Sequence, residues 1–167
     1  MKLKALFTFV SLLSTAILAQ GEPLEKGAPA PDVSGVDQDG KTVKFKDVYA
    51  KGPTLVYFFQ KADTPGCTKQ ACSIRDDWAA LQGKGIQVIG VSGDTPEEEK
   101  AFIEKYKLPF TLVADNDFKV ADAFGSPHRA RNSFLIKDGK VALTMLKAST
   151  STHAQDVLKA YDELAKK

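Results

Sequence analysis

Two apolar runs in the middle of the chain limit what it can fold into. Thr54–Phe59 (TLVYFF) and Ile86–Val91 (IQVIGV) are dominated by β-branched or aromatic residues. Continuous runs of this kind are typical of strands that are buried on both faces of a sheet. Phe110–Val113 predicts a third strand. We therefore expect a central sheet that is covered on both sides.

Helical patterns alternate with these strands. The first begins near Thr64–Cys67 and ends at Gly83, and the second begins within Asp94–Glu99, where a capping residue, a proline and three acids form the first turn. Shorter helical patterns cover Asp117–Phe124 and Asp156–Lys166. Helices between buried strands are the arrangement expected if they pack on the faces of the sheet.

A β-hairpin is predicted near each end of the chain, because turn residues separate short strand patterns there. The hairpins are Val33–Val36 with Thr42–Phe45 around Asp37–Gly40, and Ser133–Lys137 with Val141–Leu146 around Asp138-Gly139. Together the elements predict an α/β fold with a central mixed β-sheet flanked by helices and an N-terminal β-hairpin.

Residues 1–20 have the layout of a secretory signal peptide. Lys2 and Lys4 precede an apolar run, Ala5–Ala19, and small residues offer cleavage sites near positions 19–21. The run is shorter than the roughly 20 apolar residues of a membrane-spanning helix, and an uncleaved membrane anchor is the alternative. We expect an exported protein, periplasmic or secreted, with one domain over residues 21–167.

The charge composition indicates no strongly charged partner. The 23 basic and 21 acidic residues are scattered along the chain, and removal of Lys2 and Lys4 leaves the two signs balanced. We therefore expect no nucleic-acid partner, no stable membrane association after cleavage, and a monomer.

The chain has two cysteines, Cys67 and Cys72, and several kinds of site could use them. A structural disulfide would close a very short loop and gain little stability. A zinc site needs about four ligands, and His128 and His153 lie far away in sequence without ligand spacing. A thioredoxin-type dithiol has two intervening residues, whereas this pair has four. Two unrelated core cysteines are also possible, although burial is less expected at a helix start.

The position of Cys67 favours a reactive thiolate. If Thr64 is the N-cap and Pro65 the first helical residue, Cys67 falls in the first turn. Free amide groups and the positive end of the helix dipole lower the pKa of a thiol there. We expect the Thr64 hydroxyl to point at the amides around Cys67, and Gly66 to let a small substrate approach the backbone.

Cys72 is too far from Cys67 for a disulfide within an intact helix. Five helical residues separate the Cα atoms by roughly 8–9 Å and the side-chain directions by about 140°, whereas disulfides rarely exceed about 7 Å between Cα atoms. The spacing therefore predicts a folded reduced state and a locally unwound oxidised state.

The segment Lys61–Cys72 (KADTPGCTKQAC), followed by Arg75-Asp76, resembles the peroxiredoxins of the bacterioferritin-comigratory, or Q, type. The similarity extends from Ala28–Asp32 to Phe134–Gly139, nearly the whole mature chain. The resemblance implies a thioredoxin-like fold and the reduction of hydrogen peroxide or organic hydroperoxides. It also implies that no metal, flavin or other cofactor is needed.

The resemblance assigns a role to each site residue. Cys67 would be the peroxidatic cysteine and Cys72 the resolving cysteine, joined in a transient Cys67–Cys72 disulfide. Thr64 would supply the active-site hydroxyl and Arg131 the active-site arginine, and both would bind substrate together with Gly66 and Cys67. Arg129 is the nearest rival to Arg131.

One residue departs from the family pattern, which has a proline four residues before the threonine. This chain has Gln60 there, which adds a side-chain amide and a backbone N–H. An external thiol must reduce the disulfide by exchange, and because the predicted export separates the protein from cytoplasmic thioredoxin, we expect a thioredoxin-like protein of the same compartment as reductant. Two alternatives stay open at this point: an exported thiol–disulfide oxidoreductase that acts on protein disulfides, and a non-catalytic domain with a structural disulfide.

Overall fold

The computed structural model describes residues 21–166, so the predicted signal peptide lies outside the described residues. Seven strands form one sheet: β1 (Ser34–Asp37), β2 (Thr42–Lys44), β3 (Thr54–Phe58), β4 (Gln87–Ser92), β5 (Thr111–Ala114), β6 (Ser133–Lys137) and β7 (Lys140–Met145). Six helices accompany it: α1 (Phe45–Tyr49), α2 (Pro65–Asp76), α3 (Trp78–Gly83), α4 (Pro96–Tyr106), α5 (Lys119–Ala123) and α6 (His153–Ala165). None of the helices in this described part has the length and apolar composition needed to cross a membrane.

The three apolar runs form the interior of the sheet, as predicted. The strand order is β2-β1-β5-β4-β3-β6-β7, in which β3, β4 and β5 are parallel neighbours. The remaining pairs are antiparallel, so the sheet is mixed, and both predicted hairpins form. All five residues of β3 are buried, which explains why that strand is a continuous apolar run.

Hydrophobic clusters fill both faces of the sheet. One includes Leu55 and Tyr57 of β3 and packs under α2, α3, α4 and α6. The other includes Val56 and Phe58 and packs under α1 and α5. Because side chains alternate along a strand, β3 contributes to both clusters, and the predicted arrangement of a mixed sheet flanked by helices is confirmed.

The helices differ from the sequence prediction in several places. The last helix, predicted over Asp156–Lys166, is α6 and begins three residues earlier, at His153. The first long helix is divided at Asp77, whose backbone (φ −96°, ψ 15°) leaves the helical conformation, so α3 begins at Trp78. The Trp78 ring packs on Phe110 with their centroids 5.8 Å apart. Phe45, predicted as a strand residue, instead begins α1, because this turn buries its ring completely against Phe124.

Candidate active site

The predicted site lies at the carboxyl ends of β3 and β4, where parallel strands in open α/β sheets commonly place their ligands. The chain leaves β3 at Phe58, passes through a short loop and enters α2 at Pro65. Thr64 is the N-cap and Cys67 the third helical residue, as predicted. The Thr68 N–H donates to the Thr64 carbonyl at 2.8 Å and closes the first turn.

Hydrogen bonds to the end of β4 and to α4 hold the loop before Cys67. The Ala62 N–H donates to Asp94 Oδ2 at 2.7 Å. Asp63 has a left-handed backbone, with φ 57°, and its carboxylate accepts from Lys105 Nζ and Tyr106 Oη, each at 2.6 Å. These bonds stabilise a conformation that a non-glycine residue rarely adopts, and they fix the approach to α2.

The Thr64 hydroxyl does not point where the sequence prediction placed it. Its Oγ1 donates to the Lys61 carbonyl at 2.9 Å, and it makes no capping bond to an amide of α2. The expectation that this hydroxyl faces the amides around Cys67 is therefore wrong. The loop turns back on itself between Lys61 and Thr64, which brings a carbonyl closer to the hydroxyl than the helix amides are.

Cys67 and Arg131 are in direct contact. The Cys67 residue is 1% exposed, so burial occurs despite its first-turn position. Arg131 Nη2 lies 3.7 Å from Cys67 Sγ and 3.4 Å from Gln60 Oε1. Arg131 lies two residues before β6, the antiparallel neighbour of β3. Of the two candidate arginines, Arg131 and not Arg129 is the one that reaches the sulfur.

Opposing effects set the acidity of Cys67. Burial raises the pKa of the thiol, while hydrogen bonds from the Thr64 hydroxyl, the Lys61 backbone, Arg131 and the Gln60 backbone lower it, and the net pKa lies below its ordinary value. The Thr64 hydroxyl has a single hydrogen, and in the structure it donates this hydrogen to the Lys61 carbonyl. We therefore attribute the lowered pKa of Cys67 to Arg131 and to the backbone groups of Lys61 and Gln60.

Gly66 lets Arg131 come this close to the start of α2. A Cβ atom at Gly66 would lie 3.0 Å from Arg131 Nη2. That separation is shorter than an ordinary van der Waals contact, so any larger residue would move the guanidinium. The group that Gly66 admits in the structure is a side chain of the protein itself, and the approach of a substrate to this backbone stays a prediction.

Cys72 lies five residues further along the same helix and is half-buried, and both cysteines are free thiols. Residues 65–76 form one continuous helix, so the two thiols are held at the helical spacing that prevents a direct bond. The structure therefore matches the reduced state of the predicted pair.

A surface cleft of about 530 Å³ opens beside the Cys67–Arg131 contact. Its lining includes Gln60, Arg131, Pro127, Ala130 and Leu146. Leu146 is 61% exposed. The lining combines the cationic residues Arg131 and Lys147 with apolar residues, which suits a small polar group attached to an apolar body.

The histidines are not placed as metal ligands. His128 Nε2 bonds to Asp122 Oδ1 at 2.9 Å, and His153 is buried between Gln70 and Ser133. Within residues 21–166, no group of three or more His, Cys, Asp or Glu side chains is arranged to hold a metal ion.

Sequence reasoning missed a buried acidic pair beneath the loop. Ser92 Oγ lies 2.6 Å from Asp94 Oδ2 and 2.7 Å from Glu99 Oε1. Burial raises the pKa of Glu99 to about 8, although the bond with Ser92 lowers it. A serine has one hydrogen to donate, so a protonated Glu99 can donate to Ser92 while Ser92 donates to Asp94. The sequence did contain one indication of this pair: Asp94 comes just after a predicted buried strand, where functional groups of α/β sheets are commonly placed.

Comparisons with known proteins agree with this geometry. A model of the AhpC/TSA family matches residues 26–144. Peroxiredoxin Bcp from Escherichia coli (strain K12) is 41% identical over 150 residues, covering 81% of this chain and 94% of that protein. Chloroplastic peroxiredoxin Q from Gentiana triflora is 42% identical over 127 residues, covering 72% of this chain. The matched part is 58% of that plant protein, so the chain spans little more than half of its length.

A solved structure shows the same fold. The crystal structure of peroxidoxin BcpB from Mycobacterium tuberculosis superimposes with a TM-score of 0.79 at 27% identity, covering 84% of this chain and 97% of that one. The predicted thioredoxin-like fold is thereby confirmed. The family match covers more than half of the sequence and the bacterial relative is similar over nearly its whole length. The chain therefore belongs to the AhpC/TSA family, in the group of peroxiredoxins that includes Bcp and peroxiredoxin Q.

Proposed function

We propose that this protein is a thiol peroxidase that reduces hydrogen peroxide and organic hydroperoxides at Cys67. The observation that carries the proposal is the contact between Arg131 Nη2 and Cys67 Sγ at 3.7 Å. It combines a thiol of lowered pKa with a fixed cation, at a helix start next to an open cleft. These are the requirements of an activated sulfur nucleophile.

The proposed first step transfers one oxygen atom to sulfur. The Cys67 thiolate attacks one peroxide oxygen, the O–O bond breaks, and the other oxygen leaves as alkoxide or hydroxide and takes up a proton. The products are a sulfenic acid on Cys67 and an alcohol or water. Negative charge grows on the leaving oxygen, and the planar fork of Arg131 suits two oxygen or sulfur partners at once. Thr64 and the backbone at Gly66 complete the proposed substrate-binding set.

The proposed second step forms the disulfide. The Cys72 thiol attacks the Cys67 sulfenic sulfur, a Cys67–Cys72 bond forms, and water is released. The continuous helix over residues 65–76 keeps the cysteines apart, so α2 must unwind between them first. A thioredoxin-like dithiol protein then reduces the disulfide by thiol exchange and becomes oxidised itself.

The decisive experiment is peroxide consumption by single-cysteine variants. Cys67→Ser should abolish turnover of hydrogen peroxide and of an alkyl hydroperoxide, because no other thiol occupies the site. Cys72→Ser should still yield sulfenic acid on Cys67 but turn over poorly with a thioredoxin-like donor. Substantial peroxide turnover by Cys67→Ser would overturn the proposal.

A second assay separates this proposal from a thiol–disulfide oxidoreductase. The wild-type protein should consume peroxide and leave a model protein disulfide unchanged when no donor is present. Reduction of that disulfide, or its formation from the corresponding dithiol, without peroxide consumption would support the alternative. A Cys67–Cys72 bond that persists in mild reductant would indicate a structural disulfide.

We also propose that the protein is exported and works as a monomer. The support for export is the sequence of residues 1–20 alone. Mass spectrometry of the protein recovered from the expressing cell should give a mature N-terminus near residues 20–22. Recovery of the full-length chain with a membrane fraction would favour the anchor instead, and sedimentation analysis of the mature protein tests the monomer.

A further inference from the structure

Gln70 lies between the two cysteines on α2 and is completely buried. Its side-chain amide nitrogen lies 3.2 Å from His153 Nδ1. His153, the first residue of α6, is also completely buried. The two residues are 83 positions apart in the sequence. This contact therefore links the segment that carries Cys67 and Cys72 to a distant helix.

The hydrogen-bonding capacity of these groups fixes the direction of each bond. An amide nitrogen only donates, so His153 Nδ1 accepts from Gln70 and the ring proton lies on Nε2. Nε2 in turn lies 2.9 Å from Ser133 Oγ on β6 and donates to it. Burial lowers the pKa of His153 to about 4, which keeps the ring neutral as this arrangement requires.

The surroundings of His153 give it little freedom. Its ring meets the Tyr57 ring edge-on, with centroids 5.7 Å apart. The backbone N–H of Ala154, the next residue, donates to Ser73 Oγ at 3.5 Å. His153 is thus fixed by Tyr57 of β3 and Ser133 of β6, while its neighbour Ala154 is bonded to Ser73 near the end of α2. Gln70 is the residue of α2 between the two cysteines that His153 itself contacts.

Disulfide formation must break this bond. The helical spacing of Cys67 and Cys72 exceeds what a disulfide permits, and the residues between them have to leave the helix. Gln70 is one of those residues. Within the described residues its carbonyl oxygen Oε1 has no hydrogen-bond partner. Among the described residues, the bond with His153 is therefore the one side-chain hydrogen bond that holds Gln70.

We propose that His153 is a positioning residue that holds the first turns of α2 helical through Gln70, and so sets how long the Cys67 sulfenic acid persists before Cys72 attacks it. The inference rests on the proposed function. Its consequence is a partition of the sulfenic acid between two reactions. Cys72 converts it to a disulfide and water, whereas a second hydroperoxide transfers another oxygen to give sulfinic acid and an alcohol or water.

His153→Phe and His153→Asn both lose the bond to Ser133 and are compared by the bond to Gln70, which only the asparagine can replace. His153→Phe keeps a ring against Tyr57 but removes the acceptor, and His153→Asn restores an acceptor near the position of Nδ1. Gln70→Leu removes the amide that donates to His153 Nδ1. This variant tests the same hydrogen bond if His153→Phe does not fold. Val157→Ala is the matched control, because Val157 is a fully buried residue of α6 in the same core and is not part of the hydrogen-bonded chain.

The first measurement needs no peroxide. Amide hydrogen exchange of a peptide covering residues 68–72 is followed in the reduced protein. We expect exchange about tenfold faster in His153→Phe and Gln70→Leu than in the wild type, the factor expected from the loss of one buried hydrogen bond. His153→Asn and Val157→Ala should stay near the wild-type rate in this segment. Equal acceleration in Val157→Ala and His153→Phe would overturn the proposal.

The second measurement follows how the Cys67 sulfenic acid divides between disulfide and sulfinic acid. The reduced protein is mixed with one equivalent of hydrogen peroxide, quenched at intervals and analysed by mass spectrometry. Disulfide formation should be about tenfold faster in His153→Phe, and excess peroxide should yield correspondingly less sulfinic acid. An unchanged rate contradicts the proposal. If the wild-type protein forms no disulfide, the proposed resolving step is wrong, and the exchange measurement alone decides whether His153 holds α2.

Discussion

Arg131 touches Cys67 through the same nitrogen, Nη2, that approaches Gln60, at 3.7 Å from the sulfur and 3.4 Å from the amide oxygen. The guanidinium is thus held between the proposed nucleophile and a side-chain acceptor before any substrate arrives. A group placed in advance costs no reorganisation during the reaction.

Replacing Arg131 with lysine tests whether the planar guanidinium group contributes to the peroxidase rate. Lysine keeps the positive charge but loses the planar pair of donors. We expect Arg131→Lys to lower kcat/KM for hydrogen peroxide by about a hundredfold. Stopped-flow peroxide consumption measures the rate. Arg129→Lys is the matched control and should leave the rate unchanged; an equal loss in both variants would contradict a specific role for the Arg131 guanidinium.

Gly66→Ala should lower the activity of the protein without lowering its stability. The new Cβ would lie 3.0 Å from Arg131 Nη2, so the guanidinium has to move, and displacement of a catalytic group can cost one to two orders of magnitude in rate. We expect about a tenfold loss of kcat/KM. Alanine in a helix is more favourable than glycine by about 0.5–1 kcal/mol, so the free energy of unfolding should not fall.

Gly83→Ala provides the control for that experiment. Gly83 also lies in a helix, and a Cβ atom there would meet nothing within 4 Å. This variant should gain stability in urea unfolding and keep full activity. If Gly66→Ala retained wild-type activity, close packing of Arg131 on the helix start would have no part in the reaction.

Gln60 contributes a backbone N–H near the Cys67 sulfur that a proline cannot provide. That N–H helps to lower the pKa of the Cys67 thiol. We expect Gln60→Pro to raise this pKa and Gln60→Ala, which keeps the N–H, to raise it less. Thiolate absorbance in the ultraviolet as a function of pH measures both. Identical pKa values in the two variants would show that the N–H has no influence.

Glu99 should make the protein less stable as the pH rises. Its pKa is raised by burial to about 8 in the folded state, while the unfolded chain ionises near the ordinary value. Between these values the unfolded state binds fewer protons, so the free energy of unfolding falls as the pH rises, by at most about 5 kcal/mol. Glu99→Gln removes this dependence and should be more stable than wild type above pH 8, measured by urea unfolding at pH 4.5 and 8.5.

Glu98 is the matched control for Glu99. Hydrogen bonds from the Thr95 backbone and Lys61 lower the pKa of Glu98, so its contribution to stability has the opposite sign and is lost on acidification. Glu98→Gln should therefore keep the decrease in stability toward pH 8.5 that Glu99 causes. A flat profile in Glu98→Gln would contradict the assignment to Glu99.

The strands and the two cysteines could be predicted because their signals are local. The composition of Thr54–Phe59 and Ile86–Val91 is sufficient to indicate buried strands, and a threonine, a proline and a cysteine in sequence indicate a helix start. The break at Asp77 was not predictable in this way, since one continuous helical pattern covers both α2 and α3. Trp78, the first residue after the break, packs on Phe110, which is distant in sequence.

The support around the site could not be predicted for the same reason. Ala62 and Asp94 are 32 positions apart, and Gln70 and His153 are 83 positions apart. Each of these side chains has an ordinary local role, as a helix-start acid or a polar residue on a helix. The topology of the sheet brings them together. The Thr64 hydroxyl was predicted wrongly because its alternative acceptor, the Lys61 carbonyl, depends on the path of the loop.

The interruption at Asp77 has an optical consequence. Trp78, the single tryptophan of the chain, follows directly after α2 and is packed on Phe110. If the turns between Cys67 and Cys72 unwind, we expect the environment of the Trp78 indole, beyond the far end of this helix, to change. No other tryptophan contributes to the emission, because the chain has only one. The protein therefore contains its own fluorophore at the boundary of the moving segment, and each turnover should be visible as emission without any attached label.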